Sequence, residues 1–98
     1  MELLEITDNV FLRQFETNID GHLIKMEYAA QEKKIFLTKL VIPEALQADT
    51  LTDDFITSVL KHVQEKNLRV VPTSPQVAKF LRKNRNKFKE ILPVGIRI

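Results

Sequence analysis

Few residues in this chain have the type and setting to do chemistry, and none stands beside an evident helper. Ser74 is a nucleophile by type, but no base lies near it in sequence and a bare hydroxyl is unreactive. The same position, just ahead of Pro75, suits a helix N-cap. Tyr28 can donate or accept a proton in group transfer, although an interfacial aromatic is the plainer reading. His22 and His62 have no acidic or histidine partner at ligand spacing, and there is no cysteine. Disulfides, thiolate chemistry and a metal site are therefore not expected. Lys39 stands at the end of an apolar run. Asp49, Asp53 and Asp54 crowd one short stretch, where they suit the positive end of a helix dipole. Thr50 with Asp53 three residues on resembles a capping box. Lys79, Arg82, Lys83, Arg85, Lys87 and Lys89 form a basic run relieved only by Glu90. Such a run grips phosphate, or RNA, or simply solvates a helix face, the last being the usual outcome.

The elements that must position these residues centre on Lys39 to Val71. Leu40-Val41-Ile42 close an apolar run, and Pro43, without an N–H, stops the ladder. The loop Gln47-Ala48-Asp49-Thr50 opens a helix whose apolar stripe is Phe55, Ile56, Val59, Leu60 and Val63. Asn67 follows the last turn, where a left-handed cap is usual. Leu68, Val70 and Val71 resume as a strand that Pro72 ends. Strand, crossover helix and strand make a βαβ unit with two parallel strands. Ligands in such units sit beyond the carboxyl ends of the strands, near the helix N-terminus. Any site is thus expected between Thr38 and Phe55.

Ahead of this unit, residues Met1 to Leu12 read as an irregular lead-in. Asp20-Gly21 between two alternating runs signals a two-residue hairpin, because both residues tolerate positive φ. That turn sets Ile19 against His22, Thr17 against Ile24 and Phe15 against Met26, with Glu16 opposite Lys25 as an ion pair. A polar turn at Gln31 to Lys33 leads into Ile35-Phe36-Leu37-Thr38, apolar on both faces as if covered on each side. The front is then a three-stranded antiparallel meander. Behind Pro72, Val77, Ala78, Phe80 and Leu81 stripe a second helix, Phe88, Ile91 and Leu92 tie its end to the core, and Gly95 to Ile98 form a tail or added edge strand. At 98 residues the chain is one α+β domain, with its core over about 13–92. No apolar stretch approaches membrane-spanning length and no secretory signal is visible, so a cytoplasmic, non-membrane protein is expected.

Leu37-Thr38, Ile42-Pro43-Glu44, Leu46, the helix, Leu68-Arg69-Val70-Val71-Pro72, Pro75, Val77 and Phe80 resemble the small single-domain GNAT-like N-acetyltransferases, a reduced version of the GNAT fold. The likeness covers roughly Phe15 to Leu92 and needs no gap between Pro43 and Pro72. It implies an acyltransferase that moves acetyl from acetyl-CoA to an amine. It also implies a cofactor arm along Thr38, Lys39, Leu40 and Val41, and a pyrophosphate at Ala48, Asp49, Thr50, Leu51 and Thr52. Ser74 and Tyr28 remain the catalytic candidates.

The chain departs from the family where that chemistry is expected. The family's two loop glycines fall at Ala48 and Thr50, its cysteine at Ser74, and its His-Thr pair at Lys39-Leu40. Glycine lets backbone approach a phosphate closely. A carboxylate about 5 Å from a phosphate charge costs about 1 kcal/mol in water and about 3 at an effective dielectric near 20. Two readings follow. One is an acetyl-CoA-dependent N-acetyltransferase. The alternative is a catalytically degenerate scaffold whose basic run binds an acidic partner. Sequence-independent nucleic-acid binding is a weaker third, since the run lacks interleaved aromatics beyond Phe80 and Phe88, which read as buried.

Overall fold

The computed structural model describes residues 4–46, 49–84 and Phe88. Strands β1 (Thr7–Asn9), β2 (Gln14–Ile19), β3 (His22–Gln31) and β4 (Lys34–Val41) run as an antiparallel meander. A 3-10 turn (Glu44–Leu46) leads to α1 (Asp49–Glu65), then β5 (Arg69–Pro72) and α2 (Pro75–Lys83). The five strands form one sheet in chain order, with β5 parallel to β4. The meander therefore has four strands, not three. Thr7-Asp8-Asn9 pairs with Glu16-Phe15-Gln14, where an irregular lead-in was expected. Its polar residues carry no apolar alternation, and side chains anchor it: Tyr28 Oη donates to Asp8 Oδ1 at 2.6 Å, and Lys66 Nζ reaches Asp8 Oδ2 at 3.2 Å.

The Asp20-Gly21 hairpin has the expected register, Phe15↔Met26, Thr17↔Ile24 and Ile19↔His22. Both turn residues have positive φ, 51° and 80°, as a type I′ turn requires. Glu16 does lie opposite Lys25, but no ion pair joins them. Asn9 Nδ2 and Gln14 Nε2 both donate to Glu16, and the Lys25 ammonium turns to Glu27 at 3.8 Å.

Between β3 and β4 the register slips by one residue. Tyr28 faces Leu37 while Glu27 faces Lys39, which leaves Thr38 as the extra residue of a β-bulge. Below the bulge Ile35 and Leu37 point into the core, and above it Leu40 packs inward while Thr38 and Lys39 are both exposed. One core joins the inner sheet face (Phe15, Ile24, Met26, Ile35, Leu37, Val70) to α1 (Phe55, Ile56, Val59, Leu60, Val63) and α2 (Val77, Phe80, Leu81). The two helices pack on each other as well as on the sheet. The opposite face carries Leu23, Lys25, Glu27, Ala29 and Gln31 of β3, exposed or half-buried. The expectation that Ile35-Phe36-Leu37 is covered on both sides fails there. Phe36 and its register partner Val71 are only half-buried, because both helices took the other face.

Helix α1 ends in a Schellman cap. Asn67 has φ 59°, its N–H donates to Gln64 O at 3.0 Å, and Leu68 N–H donates to Val63 O at 3.4 Å. Gly95 to Ile98, Ile91 and Leu92, together with Arg85, Lys87, Lys89 and Glu90 of the basic run, lie outside the described residues. No helix among the described residues is long and apolar enough to cross a membrane.

Candidate functional site

The site forms where β5 leaves β4. Their pairing runs from Lys34↔Arg69 to Leu37↔Pro72 and stops, because Pro72 has no N–H and Thr73 N–H turns back to Val71 O at 3.0 Å. Ser74 N–H then donates to Leu37 O at 2.8 Å, and α2 begins. Strand β4 continues alone. Lys39, Leu40 and Val41 stay paired with Glu27, Met26 and Lys25 on one side. On the other side, Thr38 to Val41 have no strand partner among the described residues. Thr38 Oγ1 donates to Glu27 O at 3.2 Å, which ties the bulge to β3. The structure thus places the expected Thr38, Lys39, Leu40 and Val41 along a single backbone edge that no described strand covers.

Beyond that edge lies the first turn of α1. The helix begins at Asp49, so Thr50 stands inside the turn and is not the cap residue a capping box needs. Thr50 is exposed, Leu51 and Thr52 are half-buried, and Ala48 lies outside the described residues. Asp53 is exposed and Asp54 half-buried; Asp54 O accepts from Ser58 Oγ at 2.7 Å. Between the helices opens a cavity of about 230 Å³, with Thr52, Asp53 and Ile56 of α1 on one wall and Gln76, Lys79, Phe80 and Lys83 of α2 on the other. Lys79 and Lys83 are one helical turn apart on that wall, so the cavity has two ammonium groups and one carboxylate. That volume suits a phosphate or part of a nucleotide, since whole ligand pockets run to about 300–1,000 Å³.

Ser74 sits between edge and cavity. It is the N-cap of α2, yet its hydroxyl makes no capping bond. Fully buried, it donates instead to Gln76 Oε1 at 2.9 Å, and Gln76 lines the cavity. Tyr28 lies away from this group, packed on Phe15 with ring centres 4.7 Å apart. Desolvation, followed by the hydrogen bond to Asp8, pushes its hydroxyl pKa up to about 12. His62 also packs on Phe15, edge to face at 5.4 Å, its Nε2 buried without a hydrogen-bond partner; His22 is exposed beside the hairpin turn. No cluster of metal-ligating side chains occurs among the described residues.

Sequence reasoning missed Gln76 and the cavity itself. The wall needs α1 and α2 side by side, a tertiary fact with no local signal. The spacing Lys79–Lys83 was legible only as part of a basic run. A family model described as GCN5-related N-acetyl-transferase matches residues 14–91. No curated protein matches the chain.

Proposed function

The chain belongs to the GCN5-related N-acetyltransferase family, and on that premise we propose that it binds acetyl-CoA and transfers the acetyl group to an amine. The observation that carries this reading is the parting of β4 from β5 at Leu37 and Pro72, beyond which no described strand pairs with the outer edge of Thr38 to Val41, near the N-termini of two helices. An open strand edge takes an amide-bearing arm as it would take another strand. The α1–α2 cavity, with Lys79 and Lys83, suits a phosphate of the nucleotide end.

Acetyl-CoA supplies an activated thioester. The amine nitrogen forms the new C–N bond, the C–S bond breaks, and the amine proton leaves to solvent as the thiolate departs. The chain's part is positioning, with backbone N–H groups near Leu40 and Val41 donating to the carbonyl oxygen. Ser74 is buried, donates to Gln76 and has no base among its hydrogen-bond partners, so direct attack by the amine is favoured over a seryl intermediate. Tyr28, bound to Asp8 with a pKa near 12, is a poor proton donor to a thiolate of ordinary basicity.

Asp53 supports the second reading, a scaffold whose cofactor site has decayed. It faces the same cavity as the two lysines and repels phosphate there. Calorimetry with acetyl-CoA separates the two. The combined variant Ala48→Gly, Thr50→Gly, Asp53→Ser, Asp54→Ala is expected to bind at least about tenfold more tightly than the wild type, or about 1.4 kcal/mol. Tight binding by the wild type overturns the charge argument. No binding by either protein overturns the acetyl-CoA reading and leaves an acidic partner as the ligand of the basic helix.

A further inference from the structure

Among the described residues, the most exposed apolar side chains lie together at the tip between β1 and β2. In the β1–β2 turn Phe11 is 93% exposed, Val10 70% and Leu12 56%. Lone exposed apolar residues are ordinary, but three in succession at one tip are not. The tip is also held in shape. Leu12 N–H donates to Asn9 Oδ1 at 3.0 Å, and Tyr28 N–H donates to Arg13 O at 2.9 Å.

Strand direction brings cations to the same end. The β3–β4 turn, the C-terminus of α1 and the start of β5 all lie there, because β2, β4 and β5 run away from it while β3 and α1 run toward it. These segments expose Lys33, Lys34, Lys66 and Arg69, with Arg13 beside the tip, against Glu32, Glu65 and Asp8, the last ion-paired to Lys66 at 3.2 Å. Arg69 N–H donates to Lys33 O at 2.8 Å and Lys34 is the register partner of Arg69, so three of the cations are neighbours.

We propose that this end docks on an anionic lipid bilayer, with Val10 to Leu12 entering the interface and the cations lying at the headgroups. The contact is peripheral, as no described helix spans a membrane. Short apolar insertion and basic attraction are each weak alone and suffice together. A second copy of the chain fits less well, because a stable protein interface needs about 800 Å² from each partner and a three-residue tip supplies far less. An acidic protein would have to offer a hollow shaped to a convex turn, whereas a bilayer deforms to accept one. The inference is independent of the acetyl-transfer reading, and its test uses no acetyl-CoA.

The chain has no tryptophan, so Phe11→Trp installs a single reporter at the exposed tip. Its emission is expected to shift to the blue on phosphatidylglycerol vesicles, less so as salt rises, and to stay unchanged on pure phosphatidylcholine. In vesicle flotation, Phe11→Ser should lower binding about tenfold or more. Lys33→Glu with Lys34→Glu should lower it further, with the circular dichroism spectrum unchanged. An unshifted spectrum on anionic vesicles overturns the proposal, and so does an equal shift on zwitterionic ones. A Phe11-dependent dimer in sedimentation, without vesicle binding, overturns it in favour of a second copy.

Discussion

Tyr28 shows how one residue's surroundings decide its role. It is the only tyrosine, and it packs on Phe15 while its hydroxyl donates to Asp8, which Lys66 also holds. The folded pKa near 12 exceeds the ordinary value of 10.0, so the folded state holds this proton more tightly than the unfolded chain does. The associated stability is complete below pH 10 and is lost as the pH rises from about 10 to about 12. Alkaline titration followed by tyrosinate absorbance should show this late ionisation; a midpoint near 10 in the folded protein would refute it. Tyr28→Phe should cost about 1–2 kcal/mol in denaturant unfolding, the range for a hydrogen bond to a charged group at a half-buried site. None of this was legible in sequence, because Asp8 sits in a polar triplet with no strand pattern and meets Tyr28 only once β1 has paired. Glu16 and Lys25 failed as an ion pair for a similar reason: the register was readable, but the competing donors Asn9 and Gln14 were not.

Elements were read better than their partners. The period of Phe55, Ile56, Val59, Leu60 and Val63 gave α1 and its buried face, and all five are fully enclosed. Leu60→Ala is expected to cost about 2–5 kcal/mol, since it leaves a cavity among helices and sheet. A loss below about 1 kcal/mol would mean that the face is wrong. At the other end of α1, Asn67 tolerates its left-handed φ because its short amide suits that region better than an alkyl side chain does. Asn67→Ala should lower stability by about 1 kcal/mol while Asn67→Gly holds it, a contrast that thermal unfolding can read. The Thr38 bulge stayed hidden because Ile35-Phe36-Leu37 is apolar at every position, which erases the alternation that would reveal a change of phase. Yet that bulge sets the faces of Thr38, Lys39 and Leu40, and so shapes the candidate site.

For the whole molecule, one-sided helix packing leaves unequal protection across the sheet. Ile24 and Met26 of β3 are buried in the core, and Lys25 and Met26 pair with both β2 and β4, whereas β1 is a three-residue edge. Amide hydrogen exchange should be slowest at Ile24 to Met26 and faster at Thr7 to Asn9; equal rates would contradict the assigned sheet order. Strand order also has a kinetic consequence. Because spatial order follows chain order, the antiparallel pairs of the meander close over short turns, as between Ile19 and His22. Only β5 must wait for a helix to be laid down, closing from Pro72 back to Leu37. Loop entropy makes that the slowest contact to gain, so it should form last. On a ribosome, the chain would present a folded meander with the whole outer edge of β4 uncovered, and the step that completes the sheet is the step that narrows this edge to Thr38 to Val41 and brings the second helix beside it.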